Sequence, residues 1–210
     1  MGSTTVDDPG LPHKPPSAKS ARCYAAGVQF RPTPLAGAVV VELERHEDDR
    51  GFFARTYCDR DFAAAGLPTS WPQQNLSRNT RAGTLRGMHY NAAPHHEAKL
   101  VRCASGAIWD AIVDLRPDSP TRLRWFGIEL SAEAGNGLYV PEGFAHGFVT
   151  LHDHTDVVYL MGKSFQPNAG RGFRWNDPRV GITWPREPAV ISERDRTYPD
   201  LGPADPDVTR

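Results

Sequence analysis

Cysteine is scarce in this chain, and long apolar runs are missing. Cys23, Cys58 and Cys103 are its only cysteines in 210 residues. So few and so scattered, they supply neither a disulfide framework nor a zinc knuckle. No stretch approaches the roughly 20 consecutive apolar residues that span a bilayer. The opening segment MGSTTVDDPGLPHKPPSAKS lacks the apolar run of a secretory signal. Net charge is only −1, so no global basic field points to nucleic acid or to an anionic membrane surface. Neither kind of partner is expected, and the cytoplasm is the expected compartment. Any recognition of an anion must come from locally placed arginines. Long amphipathic helices and repeats of fixed period are absent as well.

Turn-forming residues are abundant. Glycine and proline number 19 each, and they separate short runs of β-branched and aromatic residues. The segment 38–48, AVVVELERHED, begins as a strand and ends at the turn DDRG. Residues 99–120 hold two strands around Ser105 and Gly106. In the second of these, Ile108, Asp110, Ile112 and Asp114 alternate with Trp109, Ala111, Val113 and Leu115. A period of two puts both carboxylates on one face, where they either line a cavity or make structural hydrogen bonds. Further strands are expected in 124–130, 137–141, 146–151 and 156–165, and only 59–68 reads as a helix. Many short strands with regular turns predict an all-β sandwich or barrel. The expected organisation is a tail over 1–24, one domain over 25–200, and a C-terminal tail over 201–210. Residues from 185 onward, rich in proline and charge, read as a wrapping segment.

Two glycine–histidine segments stand out. Gly83 precedes His89 by six residues, Gly135 precedes Pro141 by six, and PEGFAH then ends at His146. These resemble the paired motifs of the cupin superfamily, which implies a double-stranded β-helix, or jelly roll, with short peripheral helices. In metal-binding cupins the first motif carries two histidines and a glutamate. Here Asn91 stands in the second histidine's place, and Glu97 comes too late for the usual spacing. Two ligands in register are too few to hold a divalent ion with an open position. No metal and no cofactor are expected.

A narrower resemblance covers about residues 27–200. DRGFF (49–53), QQNLS (73–77), TLRGMHY (84–90), AKLV (98–101), DLRPDSPT (114–121), VPEGFAHGF (140–148), WNDPRVGITWP (175–185) and SERD (192–195) occur in one order. The chain resembles the dTDP-4-dehydrorhamnose 3,5-epimerase family and its antibiotic-sugar relatives. The resemblance implies an isomerase acting on a dTDP-4-keto-6-deoxyhexose at C3, C5 or both, without a metal. A related 3,4-ketoisomerase and a non-catalytic sugar-binding jelly roll are the competing readings.

The C–H bonds at C3 and C5 are acidified by the C4 ketone. Inverting either carbon takes a base on one face, a cation at the carbonyl oxygen and an acid on the other face. Histidine suits the base, with an ordinary pKa near 6.5. The resemblance implies that His89 is that base and Asp195 its carboxylate partner. It implies Lys99 beside the developing enolate oxygen, and Tyr159 as the acid. It further implies Arg86, Arg50 and Arg194 near the diphosphate, where guanidinium geometry is favourable. Gln73, Asn75 and Ser77 resemble the family's polar strand facing the sugar and the nucleotide, and His146 resembles a family histidine beside the carbonyl. The resemblance places Arg50 and Phe52 on a strand supplied by the neighbouring subunit, which implies a homodimer with shared sites.

Three positions depart from the family pattern. Arg55 replaces a glutamate, Asn91 a glutamine, and Phe165 a tyrosine six residues after the acid. His95, His96, His152 and His154 lie in polar loop sequence and read as solvated, as do Arg122 and Arg124. Arg86 and His89 are three residues apart, so a regular strand would turn them to opposite faces. An irregularity at Gly87 is therefore predicted, bringing both into one pocket.

Overall fold

The computed structural model describes residues 27–202. Both expected tails, apart from residues 201 and 202, and the first two residues of the expected domain lie outside the described residues. Strands β1 (Val28–Pro32), β2 (Val39–Leu43), β5 (Gln73–Asn79), β7 (Lys99–Ser105), β10 (Gly137–Val140) and β12 (Thr155–Met161) form one sheet, in the order β1-β2-β10-β7-β12-β5. A second sheet contains β6 (Thr84–Asn91), β8 (Ala107–Asp114), β9 (Trp125–Ser131), β11 (Phe144–Thr150) and β13 (Gly170–Gly172), in the order β13-β6-β11-β8-β9. All of these pairings are antiparallel, and β14 (Val190–Ile191) adds a parallel partner to β6. A separate hairpin is formed by β3 (Arg45–Asp48) and β4 (Gly51–Ala54).

The two large sheets face each other as the expected cupin-like jelly roll, and alternation explains what lies between them. Val101 and Cys103 of β7 and Val157 of β12 meet Ile108 and Ile112 of β8 and Phe144 and Phe148 of β11. The residues of opposite parity point outward and are covered. Over the first sheet, α1 (Asp59–Ala64) lays Phe62 against Val28, Val41 and Leu100. Over the second, the C-terminal segment packs Phe173, Val180 and Leu201 onto Met88, Tyr90 and Val113. Leu201, at 2% exposure, is core; the packed chain extends past the boundary drawn at 200.

The Ser105–Gly106 turn joins two strands as expected, and because β7 and β8 lie in different sheets it is a crossover at the barrel's end. Its tightness needs glycine, because Gly106 has φ +68° and a Cβ there would lie 2.4 Å from Thr155 Oγ1. A second helix, α2 (Glu193–Thr197), is present where only a wrapping segment was expected. Ser192 caps it, accepting from the Asp195 N–H at 3.1 Å. It was missed because so short a helix shows no apolar periodicity.

Candidate active site

Between the sheets lies a cavity of about 350 Å³. Its walls come from β5, β7 and β12 on one side and from β6 and β11 on the other. Asn75, Ser77, Arg86, His89, Lys99, His146, Tyr159 and Arg194, all singled out from sequence, line it.

The wall at β6 carries His89. Its Nε2 lies 2.7 Å from Asp195 Oδ1, while Asp195 Oδ2 accepts the Gly87 N–H at 3.2 Å. The carboxylate reaches this place because β14 docks alongside the start of β6, and α2 then turns back over the strand. Burial alone would push the Asp195 carboxyl up. The His89 hydrogen bond and charge, the Gly87 N–H and Arg194 outweigh it and hold that carboxyl below its ordinary value. Tyr198 stands edge-on to His89, ring centres 5.9 Å apart, and accepts a 2.6 Å hydrogen bond from Arg194 Nε.

Beside His89, His146 Nε2 lies 2.6 Å from Asp110 Oδ1, both residues being buried. Burial raises the Asp110 carboxyl, with His146 and Lys99 opposing. Of the two alternating carboxylates, Asp110 thus supports a cavity residue from behind. Asp114 is structural: it accepts from the Arg116 backbone and guanidinium, Ser119 and Thr121.

The opposite wall carries Tyr159 and Lys99. Burial, then Asp110, push the Tyr159 hydroxyl far above the ordinary tyrosine range, and Arg86 and Ser77 act against them. Burial pulls the Lys99 ammonium down, opposed by Glu97 and Asp110. At the mouth, Arg86 Nε donates to Asn79 Oδ1 at 2.8 Å, and Asn79 is itself tied to the Ser77 and Thr155 carbonyls.

This geometry places a paired histidine on one sheet and a tyrosine and a buried lysine on the facing one, with arginines at the rim. The dTDP-4-dehydrorhamnose 3,5-epimerase family matches residues 32–202. The chain belongs to this family. A family relative from Pseudomonas aeruginosa, dTDP-4-dehydrorhamnose 3,5-epimerase, is 43% identical over 81% of this chain and 94% of its own. A dTDP-4-dehydrorhamnose 3-epimerase from Streptomyces niveus is 35% identical over 80% of this chain and 82% of its own. The crystal structure of the Bacillus anthracis 3,5-epimerase, with TDP and PPi bound, superposes with a TM-score of 0.81 at 39% identity, covering 83% of this chain and all of that one. Membership in the epimerase family makes this an isomerase-class enzyme.

Not every residue that the epimerase resemblance singled out lies in this cavity. Arg50 and Phe52 sit on the β3–β4 hairpin, which forms its own two-stranded sheet away from the barrel's interior. Arg50 pairs with Asp48, and its side chain is 89% exposed. Phe52 lies under the Arg45 guanidinium and is half-exposed. Neither lines the cavity of its own chain, because β3 and β4 pair only with each other and not with either large sheet. Gln73 stands just outside, donating to Asn75 Oδ1 at 3.1 Å and accepting the Phe165 N–H at 2.9 Å. Arg122 is half-buried, not solvated.

Sequence reasoning missed Glu97, Arg171 and Phe148, which also line the cavity. For Glu97 a signal was available: it stands two residues before Lys99, and in extended chain such residues share a face. Among the described residues, no three His, Cys, Asp or Glu side chains converge as a metal site. Among them, too, no helix is long and apolar enough to cross a membrane.

Proposed function

We propose that this protein epimerises a dTDP-4-keto-6-deoxyhexose in deoxysugar biosynthesis, at C3, C5 or both, by proton transfer across the cavity. One observation carries the reading: the His89–Asp195 pair, 2.7 Å apart, and Tyr159 stand on opposite sheets around one cavity. Family membership supports the substrate class, as does the bound TDP of the Bacillus anthracis relative.

With Nε2 engaged by Asp195, His89 presents Nδ1 to the C–H bond α to the ketone. It takes the proton, and the bonding electrons move onto the C4 oxygen as an enolate. Asp195 holds the ring and stabilises the imidazolium that forms. Lys99 offers its positive charge to the enolate oxygen, and His146, braced by Asp110, lines the same region of the cavity. Tyr159 then delivers its hydroxyl proton to the opposite face of the same carbon. Its raised pKa keeps that proton in place until the carbanion needs it, and Arg86 and Ser77 ease the tyrosinate left behind. Solvent exchange restores both groups. The step consumes no redox equivalent, and Lys99 takes the place a metal cation would hold at the oxygen.

Arg86 and Arg194 line the rim and suit the diphosphate. The resemblance assigns Arg50 and Phe52 to a neighbouring copy's site, and the exposed hairpin with Phe52 and Phe53 at its surface supports a homodimer of that kind.

Incubation with dTDP-4-keto-6-deoxyglucose in D2O tests the reading. Deuterium is expected at C3, C5 or both, unaffected by a chelator. Absence at both carbons would overturn it, and a carbonyl found at C3 would favour the ketoisomerase. Incorporation at one carbon alone would define a mono-epimerase, in keeping with Phe165, which lacks the hydroxyl usual at its position and is 72% exposed.

A further inference from the structure

Glu97 closes the loop after β6, and Lys99 opens β7. Lys99 Nζ and Glu97 Oε1 are 3.6 Å apart, each side chain is only 10% exposed, and both line the cavity. A buried ammonium is hard to keep charged, and once neutral it offers an enolate no positive field. Four other elements place ionisable groups around Lys99: Asp110 on β8, His146 on β11, His89 on β6 and Tyr159 on β12. Lys163, just past β12, acts on Glu97. Of the carboxylates, Asp110 is already engaged by His146 at 2.6 Å, and Asp195 by His89. Glu97 is the carboxylate at ion-pair distance from Lys99.

We propose that Glu97 is a positioning residue that keeps Lys99 cationic and aimed at the substrate's C4 oxygen. The proposal rests on the assignment of Lys99 to the enolate. Burial and pairing oppose each other at both groups: burial lowers Lys99 and Glu97 raises it, while burial raises Glu97 and Lys99 lowers it. Each therefore sustains the other's charge. The ammonium has three donors, and a single carboxylate oxygen at 3.6 Å leaves donors for the substrate oxygen.

The test compares Glu97→Gln, which keeps size and removes charge, with Glu97→Asp, which keeps charge on a shorter stem. The readouts are the pH profile of kcat for solvent exchange, KM, and dTDP affinity as a measure of intact folding. Without its counter-charge Lys99 loses its proton at lower pH. The alkaline limb of the Glu97→Gln profile should move down by about one to three pH units. KM should stay within about twofold, since the interaction strengthens as the enolate forms. Glu97→Asp should recover most of the displacement. An alkaline limb left in place in Glu97→Gln would overturn the proposal, as would equal losses at every pH in both variants. Lys99→Gln, measured alongside, separates the two ideas: retained exchange there would remove the enolate role of Lys99 and this proposal with it. Lost exchange, with an unmoved limb in Glu97→Gln, would overturn the Glu97 proposal alone.

Discussion

Arg86 and His89 are three residues apart on one strand, yet both line the same cavity. Their partners on β11 explain this: His89 pairs with His146, and Arg86 with Phe148, which are only two residues apart. Gly87 and Met88 thus oppose Gly147 alone, forming a β-bulge that restores one facing for residues of opposite parity. Gly87 has φ +135°, and a Cβ there would stand 2.5 Å from Gly147 Cα.

Gly87→Ala should therefore be costly. Forcing this φ on a residue with a side chain costs about 1–3 kcal/mol, and overpacking against backbone costs about 1–3 kcal/mol more. A fall in melting temperature with loss of exchange activity is expected. Unchanged melting and activity would show that the bulge is dispensable.

Asp195→Asn removes the charge that orients His89 and stabilises its imidazolium. A fall in kcat of about 10²- to 10⁴-fold is expected, with dTDP affinity retained. A loss below about threefold would rule out the dyad as the base.

Tyr159→Phe should separate the two proton transfers. His89 can still remove and return a proton on its own face, so deuterium should still enter the substrate. Inversion should slow by about 10²- to 10⁴-fold. Inversion at the wild-type rate would exclude Tyr159 as the acid.

Asp114 and Asp195 make stability depend on acid. Hydrogen bonds from Arg116, Ser119 and Thr121 outweigh burial and hold Asp114 below its ordinary value, as His89 and Gly87 do for Asp195. For depressed carboxyls the stabilisation is complete above the unfolded pKa of about 3.9 and is lost as pH falls through the folded value. Melting temperature should drop below about pH 4. Asp114→Asn should lower melting at neutral pH and weaken that acid dependence while leaving KM alone. A wild-type melting curve in that variant would show that Asp114 is not the buried anchor its hydrogen bonds imply.

Shared sites predict complementation. Arg50→Ala and His89→Ala are each expected to lose activity alone. If Arg50 serves the neighbouring copy's cavity, a mixed dimer contains one intact site. Co-expression in equal amounts should recover about a quarter of wild-type activity. No recovery from verified mixed dimers would confine each site to one chain.

Much of this protein is local in origin. Period-two alternation gives the inward faces of β7, β8, β11 and β12, and it follows from strand geometry alone. Glycine and proline spacing marks an all-β barrel, and odd spacing between Arg86 and His89 demands an irregularity at Gly87. The resemblance supplied the pairing of His89 with Asp195, which no local pattern links across 106 residues. The rest depends on which strands meet. Sheet assignment made the Ser105–Gly106 turn a crossover, and β11's register gave the bulge its two-against-one form. Strand packing put Asp110 behind His146 while Asp114 joined a loop, although the two share one face of β8. The barrel closed Glu97 and Lys99 into one buried pair and left Arg50 and Phe52 outside it. A residue's facing is set by its own backbone, whereas its partners and burial are set by chain segments far away in sequence.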